Sequence, residues 1–207
     1  MPDQLSLSKF VAFCLIFFGI IAFCIVFGGY TSFYRAQNRI EASITYLTDA
    51  CQYRLDLLPE LIEMTNKSVP KSSTIQLNNA AENTKAILLL VTPQKIPLED
   101  AVIRKFEISQ TQLTLRLNEV FAQLETSLDK KYSQQFIELK NEFLSLQDHL
   151  TVTRNRYNDE ASYFNNRTMD FPSSLFAKIF GFDKIKYIEI SKERLLPSQS
   201  AVAPKTS

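Results

Sequence analysis

A lone histidine, three cysteines and a scatter of carboxylates are the residues of this chain that would have to carry any chemistry. His149 lies in Gln147-Asp148-His149-Leu150, with no second His or Cys at a spacing that would complete a metal site, so it reads as a solvated surface residue. Asp56 and Glu60 stand four apart and would make a carboxylate pair on one helix face, although a charged face beside Pro59 is the plainer reading. No Gly-rich phosphate loop, Gly-x-Ser-x-Gly elbow or Cys–His combination with a third partner occurs. The expectation is a protein that is not an enzyme, with no catalytic, metal or cofactor site and no evident small-molecule substrate.

The elements that would position any site follow from composition. The 207 residues carry 23 Lys+Arg and 22 Asp+Glu, a net charge of +1, which argues against a nucleic-acid partner because such a partner needs a basic excess. Gly 4, Trp 0 and Phe 16 disfavour folds that turn on glycine at every corner and suit long helices. Residues 10–30 read FVAFCLIFFGIIAFCIVFGGY, without a charged, amide or proline residue. As a helix this run is roughly 30 Å long, the thickness of a hydrocarbon core. A cleavable signal peptide would have a shorter apolar region and a small-x-small exit, whereas this run leaves through Val26-Phe27-Gly28-Gly29-Tyr30. A lipoprotein anchor would want small residues before Cys14 and Cys24, and both follow phenylalanine. A buried soluble helix would be shorter. Residues 10–30 are therefore expected to be a retained single transmembrane helix preceded by a tail over residues 1–9, with the lipid bilayer as a partner.

Lys9 precedes the run while Arg35 and Arg39 follow it, and this small excess places the large domain on the cytoplasmic side. Cys51, without an intramolecular partner, suits a reducing compartment. The sequons Asn66-Lys67-Ser68 and Asn166-Arg167-Thr168 matter only if the chain enters a glycosylating lumen.

Helical spacing continues past the run. Phe33, Ile40 and Leu47 form one heptad row, and Ile44, Cys51 and Leu58 a second, so the membrane helix and first soluble helix read as one rod. At Pro59 the helix either kinks and runs on to about Asn66, the favoured reading, or ends near Leu58. After a turn at residues 67–73, with Ser72 or Ser73 as cap, a second helix is expected over residues 74–91, its inner residues Ile75, Ala81, Ile87 and Leu88. Pro97 suits the first turn of a third helix, which carries Phe106, Leu113, Leu117, Val120, Leu124 and Leu128. A fourth presents Tyr132, Phe136, Leu139, Phe143, Leu146, Leu150, Tyr157 and Phe164 as one seam. The fold class is thus all-α: a transmembrane helix continuous with an antiparallel bundle of about four long helices over residues 31–170.

Phe171-Pro172 must stop the fourth helix. Residues 171–190 then read as a short Phe-rich helix, opened by a serine cap and closed at Gly181, followed by an extended segment. Leu175, Phe176, Ile179 and Phe180 share one side of that helix. Phe176 and Phe180, with Lys184 and Lys186, are candidates for the membrane interface, or the same face packs on the base of the bundle or on a neighbouring subunit. Residues 191–207 read as a disordered tail.

Arg54-Leu55-Asp56-Leu57-Leu58-Pro59-Glu60-Leu61-Ile62-Glu63, then residues 143–150, Arg154-Asn155-Arg156-Tyr157-Asn158-Asp159, Tyr163-Phe164-Asn165, Phe171-Pro172 and Gly181-Phe182, together resemble the LemA family in order and type. Two departures stand out: Thr151-Val152-Thr153 alone separates Leu150 from Arg154, about two turns short of the family pattern, and Tyr132-Ser133 replaces a Tyr-Pro pair. The resemblance implies a bacterial, inner-membrane-anchored helical protein, linked in that family to envelope stress or membrane-protein assemblies, with no catalytic residues to carry over. Its signature residues Arg54, Asp56, Pro59, Arg154, Tyr157 and Asn158 read as packing and hydrogen-bonding groups, the arginines pairing with Asp56, Glu60 or Asp159. The function expected is a membrane-anchored scaffold that self-associates through helix seams, to which Leu115, Phe121, Ile137 and Leu144 add apolar positions outside the main stripes. The alternative is a monomeric adaptor docking onto a membrane peptidase or sensor.

Overall fold

The computed structural model describes residues 3–65, 69–91, 96–127 and 133–190, and among these every regular element is a helix. In chain order they are α1 (Asp3–Asp56), α2 (Leu58–Thr65), α3 (Lys71–Leu88), α4 (Asp100–Ser127), α5 (Ser133–Met169) and α6 (Ser173–Phe180). α1 alone has 54 residues, about 80 Å of helix, because no proline falls between Pro2 and Pro59. The break at Leu57 is small. Pro59 has no N–H to give, the Leu61 N–H reaches the Leu57 carbonyl only at 3.5 Å, and the chain resumes as α2, so the helix kinks and continues to Thr65.

Two antiparallel pairs make the bundle. α1 and its continuation α2 lie along α5, with Phe33 of α1 edge-on to Phe164 at one end and Gln135 donating to Glu60 of α2 at the other. α3 lies along α4, with Ser73 donating to Glu119 and Thr84 to the Ser109 carbonyl. Both heptad rows of α1 are buried, as are all described members of the α4 and α5 seams. Leu128 and Tyr132, the sequon at Asn66, residues 92–95 and the tail over 191–207 lie outside the described residues.

α1 changes character along its length. From Phe10 to Phe27 no side chain is buried, and this helix is long and apolar enough to cross a membrane; from Phe33 onward its apolar rows are fully covered. The start of the core therefore falls one turn beyond the end of the apolar run.

Several local expectations are corrected. α3 begins at Lys71 after Pro70, without a side-chain cap from Ser72 or Ser73. It buries Ser73, Leu77, Ala80 and Thr84, while Ile75 is exposed. Thr84 on this face reaches the Ser109 backbone carbonyl of α4 at 3.3 Å, so the buried face of α3 is made mostly of small residues that meet α4 directly. α4 starts at Asp100, leaving Pro97 before the helix instead of in its first turn. Phe121, expected outside the stripe, is buried against Phe136 and Phe143, and Leu144 is half-covered by the same core; Leu115 and Ile137 are exposed. α6 also lacks a serine cap, since Pro172 occupies that position. It ends as expected at Gly181, whose φ of 69° suits the left-handed region.

Candidate functional site

The family-signature residues on α5 converge on the extended segment 182–190, which runs back along α5 between that helix and the start of α4. Asn165 donates to the Ile185 carbonyl at 2.7 Å and accepts from the Ile185 N–H at 2.8 Å. Asn158 repeats the grip on Ile188, at 3.0 and 2.8 Å. Between those two targets the Lys186 carbonyl accepts from the Tyr157 hydroxyl at 2.9 Å, and beyond them Arg154 donates to the Ile190 carbonyl at 3.3 Å. From the other side Glu107 accepts from the Glu189 N–H at 2.6 Å, and Lys186 pairs with Asp100.

The spacing explains the fit. Asn158 and Asn165 are seven residues apart on a helix, about 10.5 Å, and Ile185 and Ile188 are three apart in an extended chain, about 10 Å. The two clips therefore match their targets without distortion, and Ile185 and Ile188 are pressed into the core. Burial raises the Tyr157 phenol well above its usual value, so it remains a donor.

Arg54 is fully buried at mid-bundle, yet no carboxylate meets it. Its guanidinium donates to Gln110 Oε1 at 2.6 Å, Thr114 Oγ1 at 3.1 Å, Gln147 Oε1 at 3.3 Å and the Gln110 carbonyl at 3.4 Å. Desolvation by burial lowers its pKa. This layer divides the core: Cys51, Phe106 and Leu146 belong to the part nearer the apolar helix, and Leu55, Leu113 and Phe143 to the part beyond. The expected pairing of Arg54 and Arg154 with Asp56, Glu60 or Asp159 is not what the structure holds. Asp56 is exposed and accepts from Gln52 at 2.8 Å, Glu60 accepts from Gln135, and Pro59 sits exposed in the first turn of α2.

A third cluster surrounds the place where α1 leaves its apolar run. Phe33 stacks on Phe182 at 4.9 Å, Phe180 stands edge-on to Tyr30 at 5.1 Å, and the Arg167 guanidinium lies 5.4 Å from the Phe33 ring centre. A Cβ built on Gly29 would come within 2.8 Å of the Phe176 ring, so only glycine lets α6 lie this close. Phe176 and Phe180 are thus placed against α1, and Lys184 is exposed. Sequence reasoning did not single out Asn165, Gln110, Thr114 or Gln147 as partners. Asn165 had a usable signal in its seven-residue distance from Asn158; the Arg54 acceptors had none.

Among the described residues no group of three His, Cys, Asp or Glu side chains gathers to hold a metal, and His149 is exposed. What the geometry defines is a long-helix bundle whose C-terminal segment is clasped to its last long helix, carried on an apolar N-terminal helix. The LemA family model matches residues 44–201, which takes in Arg54, the α5 clips and the clasped segment and leaves the apolar run outside. The chain belongs to the LemA family. No curated protein matches it.

Proposed function

We propose that this protein is a non-catalytic, single-pass scaffold in the bacterial cytoplasmic membrane, holding its bundle on the cytoplasmic side and assembling with copies of itself. The observation that carries the anchoring is the unbroken passage of α1 from a bare apolar stretch into the fully covered core at Phe33, which fits lipid on one side of that point and protein on the other. Self-association is supported by large apolar side chains left on the outer faces of the rod, among them Ile108 and Leu115, seven apart on α4. Organisation of the envelope or its response to stress is the role that family resemblance suggests for such a scaffold.

Carbonate washing of membranes tests the anchor, with the full-length chain expected in the pellet. Native mass in mild detergent tests the assembly, with a multiple of the 23.8 kDa protomer expected. A strictly monomeric mass would overturn self-association in favour of a monomeric adaptor docking onto a membrane peptidase or sensor.

A further inference from the structure

We propose that α6 lies in the interfacial layer of the bilayer with Leu175 and Ile179 entering the lipid, giving the protein a second membrane contact beside its span; this rests on reading residues 10–30 as membrane-crossing. The level of α6 is set by its neighbours. Phe176 meets Gly29 and Phe180 meets Tyr30, the last two residues of the apolar run, so the helix sits where the span emerges. Its roll is set by Ala177, which is buried in the core of the bundle.

At 100° per residue, Leu175 and Ile179 each stand about 160° around the helix from Ala177, and Phe176 and Phe180 fall between. The Phe pair faces α1, Ala177 faces the bundle, and Leu175 and Ile179 face away from the bundle, 51% and 70% exposed. Phe171, at the entrance to α6, is 82% exposed. α6 contains no acidic residue, and Lys178 is exposed on the remaining flank, placed for lipid phosphates. This apolar face is continuous with the uncovered surface of the span through the Phe176–Gly29 and Phe180–Tyr30 contacts. The occupant that fits it is the same bilayer that surrounds the span.

The absence of tryptophan from the chain supplies the test. Full-length protein carrying Ile179→Trp is reconstituted into phosphatidylcholine vesicles with or without bromine on the acyl chains. Phe18→Trp reports on the span, Ile137→Trp on the far end of α5, and Leu175→Trp gives a second reading of α6. The α6 and span reporters are expected to emit at short wavelength and to lose most of their intensity in brominated vesicles, while the Ile137→Trp variant is unaffected. Quenching of the Phe18→Trp variant alone would overturn the α6 proposal and leave the anchor standing. No quenching in either would remove both. A blue-shifted but unquenched α6 reporter would show that a protein neighbour covers α6, and would also overturn the proposal.

Discussion

Asn165 holds Ile185 by both of its backbone groups, donating to the carbonyl and accepting from the N–H as a neighbouring strand would. A side-chain amide has the same donor and acceptor as a peptide unit, so a helix can offer an extended chain what a sheet edge offers it. Asn158 does this again one strap-step along, and the segment gains strand-like pairing without a sheet.

Asn165→Ala removes both bonds and leaves a buried N–H and C=O unpaired, at a cost of about 2–4 kcal/mol in unfolding free energy. Asn158 is only half-buried, and Asn158→Ala should cost less. Denaturant titration ranks the two, and hydrogen exchange at the Ile185 amide should accelerate strongly in the first. An Ile185 amide as protected in Asn165→Ala as in the parent would refute the clasp.

Arg54 is a buried cation among neutral oxygens, so Arg54→Ala leaves both a cavity and orphaned acceptors, and should cost about 3–5 kcal/mol. Arg54→Met keeps most of the volume and should cost less. Adding Gln110→Leu to Arg54→Met removes an acceptor left behind, and the double variant should be more stable than the two single costs add up to. Strict additivity in that cycle would mean that Arg54 and Gln110 are not coupled.

Burial pushes the Cys51 thiol up to about 12 from an ordinary value of 9.0. The folded protein therefore keeps this proton where the unfolded chain releases it. Its contribution to stability is complete below about pH 9 and falls by about 1.4 kcal/mol per pH unit above that, until the folded thiol itself ionises. Tyr157, also raised by burial, adds to the same alkaline loss from about pH 10. The stability–pH curve measured from pH 7 to 11 should bend downward beyond pH 9, and Cys51→Ala should make that bend shallower. An unchanged bend in Cys51→Ala would assign the loss elsewhere.

Gly29→Leu puts side-chain atoms where the Phe176 ring lies and should lift α6 off α1; a Cβ at Gly28 meets nothing within 4 Å, so Gly28→Leu serves as the control. Amide exchange across Ser173–Phe180 should quicken in the first variant and match the parent in the second. Equal protection in both would show that α6 is held by other contacts.

The long seams were readable because α1, α4 and α5 bury large apolar residues at three- and four-residue steps, a pattern that survives without knowledge of neighbours. At Ile75 the apolar pattern of α3 misleads for the opposite reason: the contact face is Ser73, Leu77, Ala80 and Thr84, and three of those four carry little hydrophobic signal. The sequence marks Arg154, Tyr157 and Asn158 as a set but not their target, because hydrogen bonds to a backbone leave no mark on the residues that receive them. The Arg54 layer was hidden in the same way. Its partners come from α4 and α5 across long sequence distances, and neutral amides do not announce themselves as the counterparts of a guanidinium.

With residues 10–30 crossing the bilayer as proposed, the unbroken α1 also makes the protein a lever. With no proline between residues 10 and 58, the stretch from Thr31 to Asp56 extends the span by about 39 Å. A helix tilts in a bilayer until its apolar length fits the local thickness, and a rigid extension tilts by the same angle. Each 10° of tilt then carries the kink at Leu57 sideways by about 7 Å. On that proposed anchoring, a change in lipid thickness would be magnified into a displacement of the far tip of the bundle.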